Sequence, residues 1–127
     1  MGVSIPLLDI KGLKLNYKVY NGISRVINKI DLHLYPGERI GLVGESGCGK
    51  TTTVKSIMGI LPSQAIFESG EILFESENIL TMSSKKLNLL RRKKLSMIFQ
   101  DPTSSLNPVF TIGKQVGDVI RYSGMVN

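Results

Sequence analysis

Residues 41–59 read GLVGESGCGKTTTVKSIMG, with Gly44, Gly47, Gly49 and Lys50 set between a short apolar run and an amphipathic one. Gly44 through Thr51 fit the pattern G-x-x-x-x-G-K-[ST], and each fixed position has a mechanical reason. The glycines open backbone conformations closed to other residues, so that consecutive N–H groups turn inward and form an anion nest. The loop feeds a helix beginning near Lys50, whose N-terminus adds its own donors and the positive end of its dipole. Lys50 is placed to reach the β- and γ-phosphates as a point charge, and the Thr51 hydroxyl to ligate a Mg²⁺ that bridges them. The expected guest is a nucleoside triphosphate with magnesium. A glycine-rich turn beside a lysine is the plainer alternative; the position of the pattern, after a strand and before a helix, argues against it. Cys48 is read as a small side chain in a permissive loop, not as a redox group.

Upstream, residues 39–43 (RIGLV) look like a strand buried inside a parallel sheet, apolar on both faces. Such a strand wants neighbours on both sides, and without them it is an aggregation-prone edge. Residues 35–38 (YPGE) form a turn, Pro36 presetting φ and Gly37 supplying a positive φ. Residues 7–20 and 24–34 favour extended structure, and Asn21-Gly22 between them is the turn signal of an antiparallel pair. Downstream, Val54, Ile57 and Met58 recur at helical spacing over 50–58, and Gly59 followed by Pro62 stops that helix. Residues 71–75 read as a short strand. Ser83 or Ser84 caps a helix running through Leu87, Leu89 and Leu90. Residues 95–99 (LSMIF) read as another apolar strand, and Ile112, Val116, Val119 and Ile120 share one face of a last helix, weakened by Gly113 and Gly117. The order is β-hairpin, strand, loop, helix, strand, helix, strand, helix, which is an α/β pattern.

With 127 residues, 42% of them hydrophobic, the chain holds enough for one core and too little for two ordinary domains. No apolar stretch approaches bilayer length, and the start MGVSIPLLDIKG lacks the parts of a secretory signal, so a cytoplasmic location is expected. Met1-Gly2 is not read as a lipidation start, because Pro6 stands where that motif needs Ser or Thr. The single cysteine excludes an internal disulfide and fits a reducing compartment. The single histidine, His33, alternates with Leu32 and Leu34 and falls on the polar face of a strand, so a histidine-based metal site is not expected. The net charge of +6 lies wholly in residues 85–94, where Lys85, Lys86, Arg91, Arg92, Lys93 and Lys94 stand without an acidic neighbour. That run is read as a solvated helix end; with no aromatic between the charges to stack on bases, nucleic acid is not an expected partner.

A P-loop alone does not choose among ATPases, GTPases, kinases and helicases. Residues 97–110 (MIFQDPTSSLNPVF) resemble the glutamine loop of ATP-binding cassette (ABC) transporter subunits, in the form found in importers of oligopeptides, dipeptides and nickel. VINKIDLHLYPGERIGLVGESGCGKTT before it is similar to the same family, so the resemblance covers nearly the whole chain. It implies a RecA-like ABC nucleotide-binding core of the P-loop NTPase class, incomplete over residues 1–127, with an N-terminal antiparallel β subdomain and the start of the helical subdomain. It implies that Gly44, Ser46, Gly47, Cys48, Gly49, Lys50, Thr51 and Thr52 hold the phosphates of ATP, with Lys50 and Gln100 catalytic. Thr51 and Gln100 would contact Mg²⁺, Gln100 also the attacking water. Tyr17 matches the aromatic that stacks on adenine, with Tyr20 the second candidate. The implied partners are a permease, facing residues 100–108, and a second ATPase subunit in a homo- or heterodimer; the implied place is the inner face of the cell membrane. No LSGGQ signature, Walker B strand or switch histidine stands in these residues, so ATP binding without turnover is expected of this chain alone. A non-catalytic nucleotide-binding or interaction module is the alternative.

Overall fold

The computed structural model describes residues 5–124; Met1-Gly2 lies outside them. It divides into two units, residues 1–87 and 88–127. The first is built on an antiparallel hairpin of β1 (Leu8–Val19) and β2 (Gly22–Leu34), joined through Tyr20-Asn21. The turn is tighter than the Asn21-Gly22 signal suggested: Gly22, at φ 138°, already pairs with Val19 as the first residue of β2. β3 (Ala65–Phe74) pairs with the other edge of β1, and the two-residue β4 (Glu77–Asn78) with β3, in the order β2-β1-β3-β4. The strand expected over 71–75 is thus the second half of a longer one. Between β2 and β3 lies α1 (Lys50–Met58), ended by Gly59 in the left-handed conformation.

The core of this unit is one face of the sheet: Leu8, Ile10, Leu13 and Leu15 from β1, Ile27 from β2, Ile72 and Phe74 from β3, and Ile79. Strict alternation from Leu8 and Ile10 would turn Leu13 away from that face. A β-bulge corrects the phase. Lys11 pairs with Glu71 and Lys14 with Ser69, so Gly12 and Leu13 stand against the single residue Gly70. Gly12 takes φ 55° and donates its N–H to Asp31 Oδ1 at 2.7 Å.

Two expected strands do not form. Residues 39–43 and 95–99 run without ladder partners, and the described sheet is antiparallel throughout. A segment apolar on both faces needs a parallel neighbour on each edge, and the described residues supply none. The face of α1 also differs from the sequence reading. Val54 is exposed, whereas Thr53 and Ser56 are buried, their hydroxyls donating to Gly49 O at 2.9 Å and Thr53 O at 2.6 Å. Hydroxyls satisfied within their own helix are small enough and dry enough to face the sheet.

α2 (Ser84–Lys93) leads into the second unit, where α3 (Ile112–Ser123) is capped by the Thr111 hydroxyl, which accepts from Lys114 N at 3.3 Å. The expected apolar face of α3 is present and exposed. No helix among the described residues is long and apolar enough to cross a membrane.

Candidate phosphate-binding site

The loop before α1 turns on Gly47 (φ 80°) and Gly49 (φ 95°), positive values that an L side chain resists. Gly49 also needs its bareness for space: a Cβ there would lie 3.0 Å from Val26 O on β2. At Gly44 the obstacle is inside the loop, since a Cβ would meet Cys48 Sγ at 2.7 Å. Three glycines thus let the chain fold tightly onto the sheet and onto itself.

The centre of the loop belongs to Lys50. Its Nζ donates to Gly44 O at 2.6 Å and Glu45 O at 2.5 Å and lies 3.3 Å from Cys48 Sγ. Around it the amides of Gly47, Gly49, Lys50, Thr51 and Thr52 find no acceptor among the described residues. The N-cap of α1 is Gly49, which brings no side chain to satisfy them, and the first turn carries no acidic residue to neutralise the dipole. Unpaired amide donors near an ammonium group, at a helix start whose first turn holds no acidic residue, fit a phosphate chain. Thr51 sits exposed in the first turn of α1 with its hydroxyl engaged by nothing described, as a magnesium ligand requires. Ser46 and exposed Cys48 lie on the same loop. Tyr17 is in β1, its backbone paired with Ser24 and Ala65, while Tyr20 is wholly exposed in the hairpin turn.

Gln100 belongs to the second unit, exposed at the end of the unpaired apolar run. It opens into an ordered loop. The Asp101 carboxylate accepts from Thr103 N at 3.1 Å and Thr103 Oγ1 at 2.6 Å, and Asp101 O from Ser104 Oγ at 3.0 Å. The Asn107 side chain accepts from Val109 N at 2.9 Å. Both are Asx turns, the local geometry that Asp-Pro and Asn-Pro favour. Sequence reading missed the residue that fastens this loop. Gln115, in the first turns of α3, accepts from Asn107 N at 2.9 Å and donates to Asn107 O at 3.0 Å and Phe110 O at 2.9 Å. A lone glutamine on a helix carries no signal that it reaches back across eight residues. Lys114 stacks its ammonium 4.2 Å from the centre of the Phe110 ring beside it.

Two expected outcomes concern this loop. The hydroxyl of Thr103, followed by the Ser104 contacts, holds the Asp101 carboxyl below its ordinary value of 3.8. A depressed carboxyl pKa stabilises the fold above the unfolded value and stops doing so as pH falls through the lower, folded one. The turn at 101–104 is therefore expected to persist where an ordinary carboxyl is already half protonated and to open only as pH falls through the lowered value; amide chemical shifts of Thr103 and Ser104 tracked down in pH check this. Replacing Gln115 by Ala removes three hydrogen bonds, and opening of residues 107–110 is expected to become easier by about 1–2 kcal/mol, read from hydrogen exchange with α3 itself retained.

The fold and the loop can be set against known proteins. A family profile described as ABC transporter matches residues 27–124. The chain is 38% identical over 122 residues to a probable peptide ABC transporter ATP-binding protein, y4tR, of Sinorhizobium fredii, covering 95% of this chain and 36% of that protein. It is 42% identical over 115 residues to the oligopeptide transport ATP-binding protein OppD of Bacillus subtilis, covering 90% of this chain and 32% of that one. The chain thus spans about a third of the length of these curated relatives. Among solved structures, the dimeric post-hydrolysis state of the ATP-binding cassette MJ0796, bound to ADP and Pi, superposes with a TM-score of 0.79 at 22% identity, over 94% of this chain and 49% of that one. That likeness gives the fold expected from the sequence, an incomplete ABC cassette core. With the family profile covering well over half its residues, the chain belongs to the ABC transporter family.

Proposed function

We propose that these residues are the nucleotide-binding part of an ATPase subunit that energises a peptide importer. The observation that carries this reading is the loop of unpaired amides around Lys50, lying in a chain whose relatives are named for peptide transport. The names of those two relatives favour peptides over nickel. The amides of residues 47–52 and the Lys50 ammonium grip the triphosphate, and Gly44, Ser46 and Cys48 complete the loop that holds it. Thr51 and Gln100 are the magnesium contacts. Magnesium supplies charge neutralisation between the β- and γ-phosphates when bound. Tyr17 is the favoured adenine platform because its backbone is fixed on both sides by ladder pairing, whereas Tyr20 has no such support.

On this reading the subunit stands at the inner face of the membrane, held there by a permease that residues 100–108 meet, and works beside a second ATPase subunit. The Asp101 and Asn107 turns and the Gln115 clamp give that contact a fixed shape. The 127 residues contain no LSGGQ and no apolar strand ending in Asp-Glu, so they are expected to bind Mg-ATP without hydrolysing it. Calorimetry and phosphate release on the purified chain test both halves; absence of binding by well-folded chain refutes the assignment, and robust hydrolysis refutes the division of labour. A cheaper readout is Cys48, exposed and beside Lys50 Nζ. Saturating Mg-ATP is expected to slow its alkylation by about tenfold, as occupancy closes access to the thiol.

A further inference from the structure

Within the second unit, the C-terminal end of α2 and the last turns of α3 enclose an open cleft of about 910 Å³, a size typical of small-molecule sites. One wall is the basic run of Arg91, Arg92, Lys93 and Lys94; the other is α3, with Val119 and Tyr122. A cation at a helix C-terminus answers the dipole. Four in succession go beyond that, since they repel one another and a bound anion relieves the repulsion. The run has no acidic residue, and Arg92 and Lys93, both exposed, make no ion pair with any described residue. Arg91 is held in place, its Nη1 donating at 3.1 Å to Oδ1 of Asn88, which also lines the cleft.

The opposite wall is of another character. Val119 and Tyr122, each 70% exposed, stand one helical turn apart and give a surface on which a flat ring can stack. Asp118 lines the same wall and makes no ion pair with any described residue, so its carboxylate is available to accept from an N–H or O–H of a ligand. Apolar polypeptide laid over the cleft would take the cations of the run out of water at a large desolvation cost. A bilayer meets convex ground, and here it would press its phosphates toward Asp118. A small anion with a planar body satisfies both walls.

We infer that this cleft is a second ligand site, apart from the glycine loop, for a phosphorylated nucleoside that carries at least two phosphate groups. The phosphates lie along the basic run, the base stacks on Tyr122 and Val119, and a hydroxyl or amino group of the ligand donates to Asp118. The inference stands independently of what the glycine loop binds, because it uses none of that loop's residues.

The experiment titrates the isotope-labelled 127-residue chain with adenosine 3′,5′-bisphosphate and follows its amide chemical shifts. Residues 91–96 and 118–123 are expected to move together along one saturable curve. Replacing Arg92 and Lys93 together by Gln is expected to weaken that binding at least about tenfold, and Tyr122→Ala by about fivefold or more. Tyr122→Phe keeps the ring and should bind as the parent does. All these side chains are exposed, so melting should be unchanged in every variant. Shifts confined to 44–52 place the probe in the glycine loop and overturn the inference, as do the absence of saturable shifts and binding that survives loss of both cations. Inorganic pyrophosphate binding at 91–96 as tightly as the bisphosphate, with no effect of Tyr122→Ala, overturns the nucleoside assignment and leaves a plain anion site. Co-sedimentation with phosphatidylglycerol vesicles but no saturable nucleotide binding assigns the run to a membrane surface instead, and overturns it too.

Discussion

Lys50→Ala is expected to lower the affinity of the chain for Mg-ATP by about 100-fold, the loss of roughly 2–3 kcal/mol that charge-assisted hydrogen bonds to phosphate supply. The side chain has two tasks in the structure. Its Nζ ties the loop at Gly44 O and Glu45 O, 2.6 and 2.5 Å away. It is also the cation in a cradle of amides that otherwise offers only partial charges. Alanine removes both, leaving nest and dipole, so binding should weaken greatly without vanishing. Lys50→Arg separates the tasks. It keeps the charge, but a planar fork replaces a compact ammonium between two carbonyls and a thiol, and only part of the affinity is expected to return. Lys50 supports no core side chain, so the melting temperature of either variant should stay close to that of the parent. Calorimetry with Mg-ATP reads the affinity; an unchanged dissociation constant for Lys50→Ala in folded protein is the outcome this account does not survive.

Legibility in the sequence tracked the range of the interactions. The hairpin, the glycine loop and the three described α-helices are legible because their causes are local: a turn signal at Asn21-Gly22, one residue off the observed Tyr20-Asn21 turn, glycines at fixed spacing, apolar residues at helical spacing, and a stop at Gly59. Strand register was hidden, since the bulge depends on Gly70 in one strand meeting Gly12 and Leu13 in another, 57 residues away by the Ser69–Gly12 contact. The buried face of α1 was misjudged because hydrophobicity favoured Val54 over Thr53 and Ser56, whose hydroxyls are satisfied inside the helix. Residues 39–43 and 95–99 were legible as apolar β-formers, but a ladder needs partners, and periodicity does not say whether they are present. At the site, Gly44, Gly49, Lys50 and Thr51 are legible from spacing and Ser46, Cys48 and Thr52 from the family resemblance; the Gln115 clamp is not, because nothing local obliges a glutamine to reach Asn107.

The largest loss of stability is expected at Gly70 in β3, outside the glycine loop. It takes φ 93°, and a Cβ built there would lie 2.5 Å from Gly12 O, 2.6 Å from Gly12 C and 2.6 Å from Leu13 Cα. All three obstacles are backbone, so no rotamer change relieves them. The left-handed conformation costs an L residue about 1–2 kcal/mol, and forced overlap in a packed region adds about 1–3 kcal/mol. Gly70→Val is therefore expected to lose about 2–5 kcal/mol, a large part of the stability of a small domain. The bulge held open by Gly70 keeps Ile10 and Leu13 on one face, against Ile72. Prising the strands apart there exposes the centre of the core. Gly12→Ala isolates the conformational part, because Gly12 has φ 55° but nothing within 4 Å of its Cβ position; about 1–2 kcal/mol should be lost. Gly113→Ala, in α3 with open space around it, should be neutral or gain up to about 1 kcal/mol. Urea unfolding of the three variants gives the order Gly70→Val, Gly12→Ala, Gly113→Ala if backbone overlap at the bulge governs the fold. Equal losses at Gly70 and Gly12 would mean that conformational strain alone is at work and that the strands can part to admit a side chain.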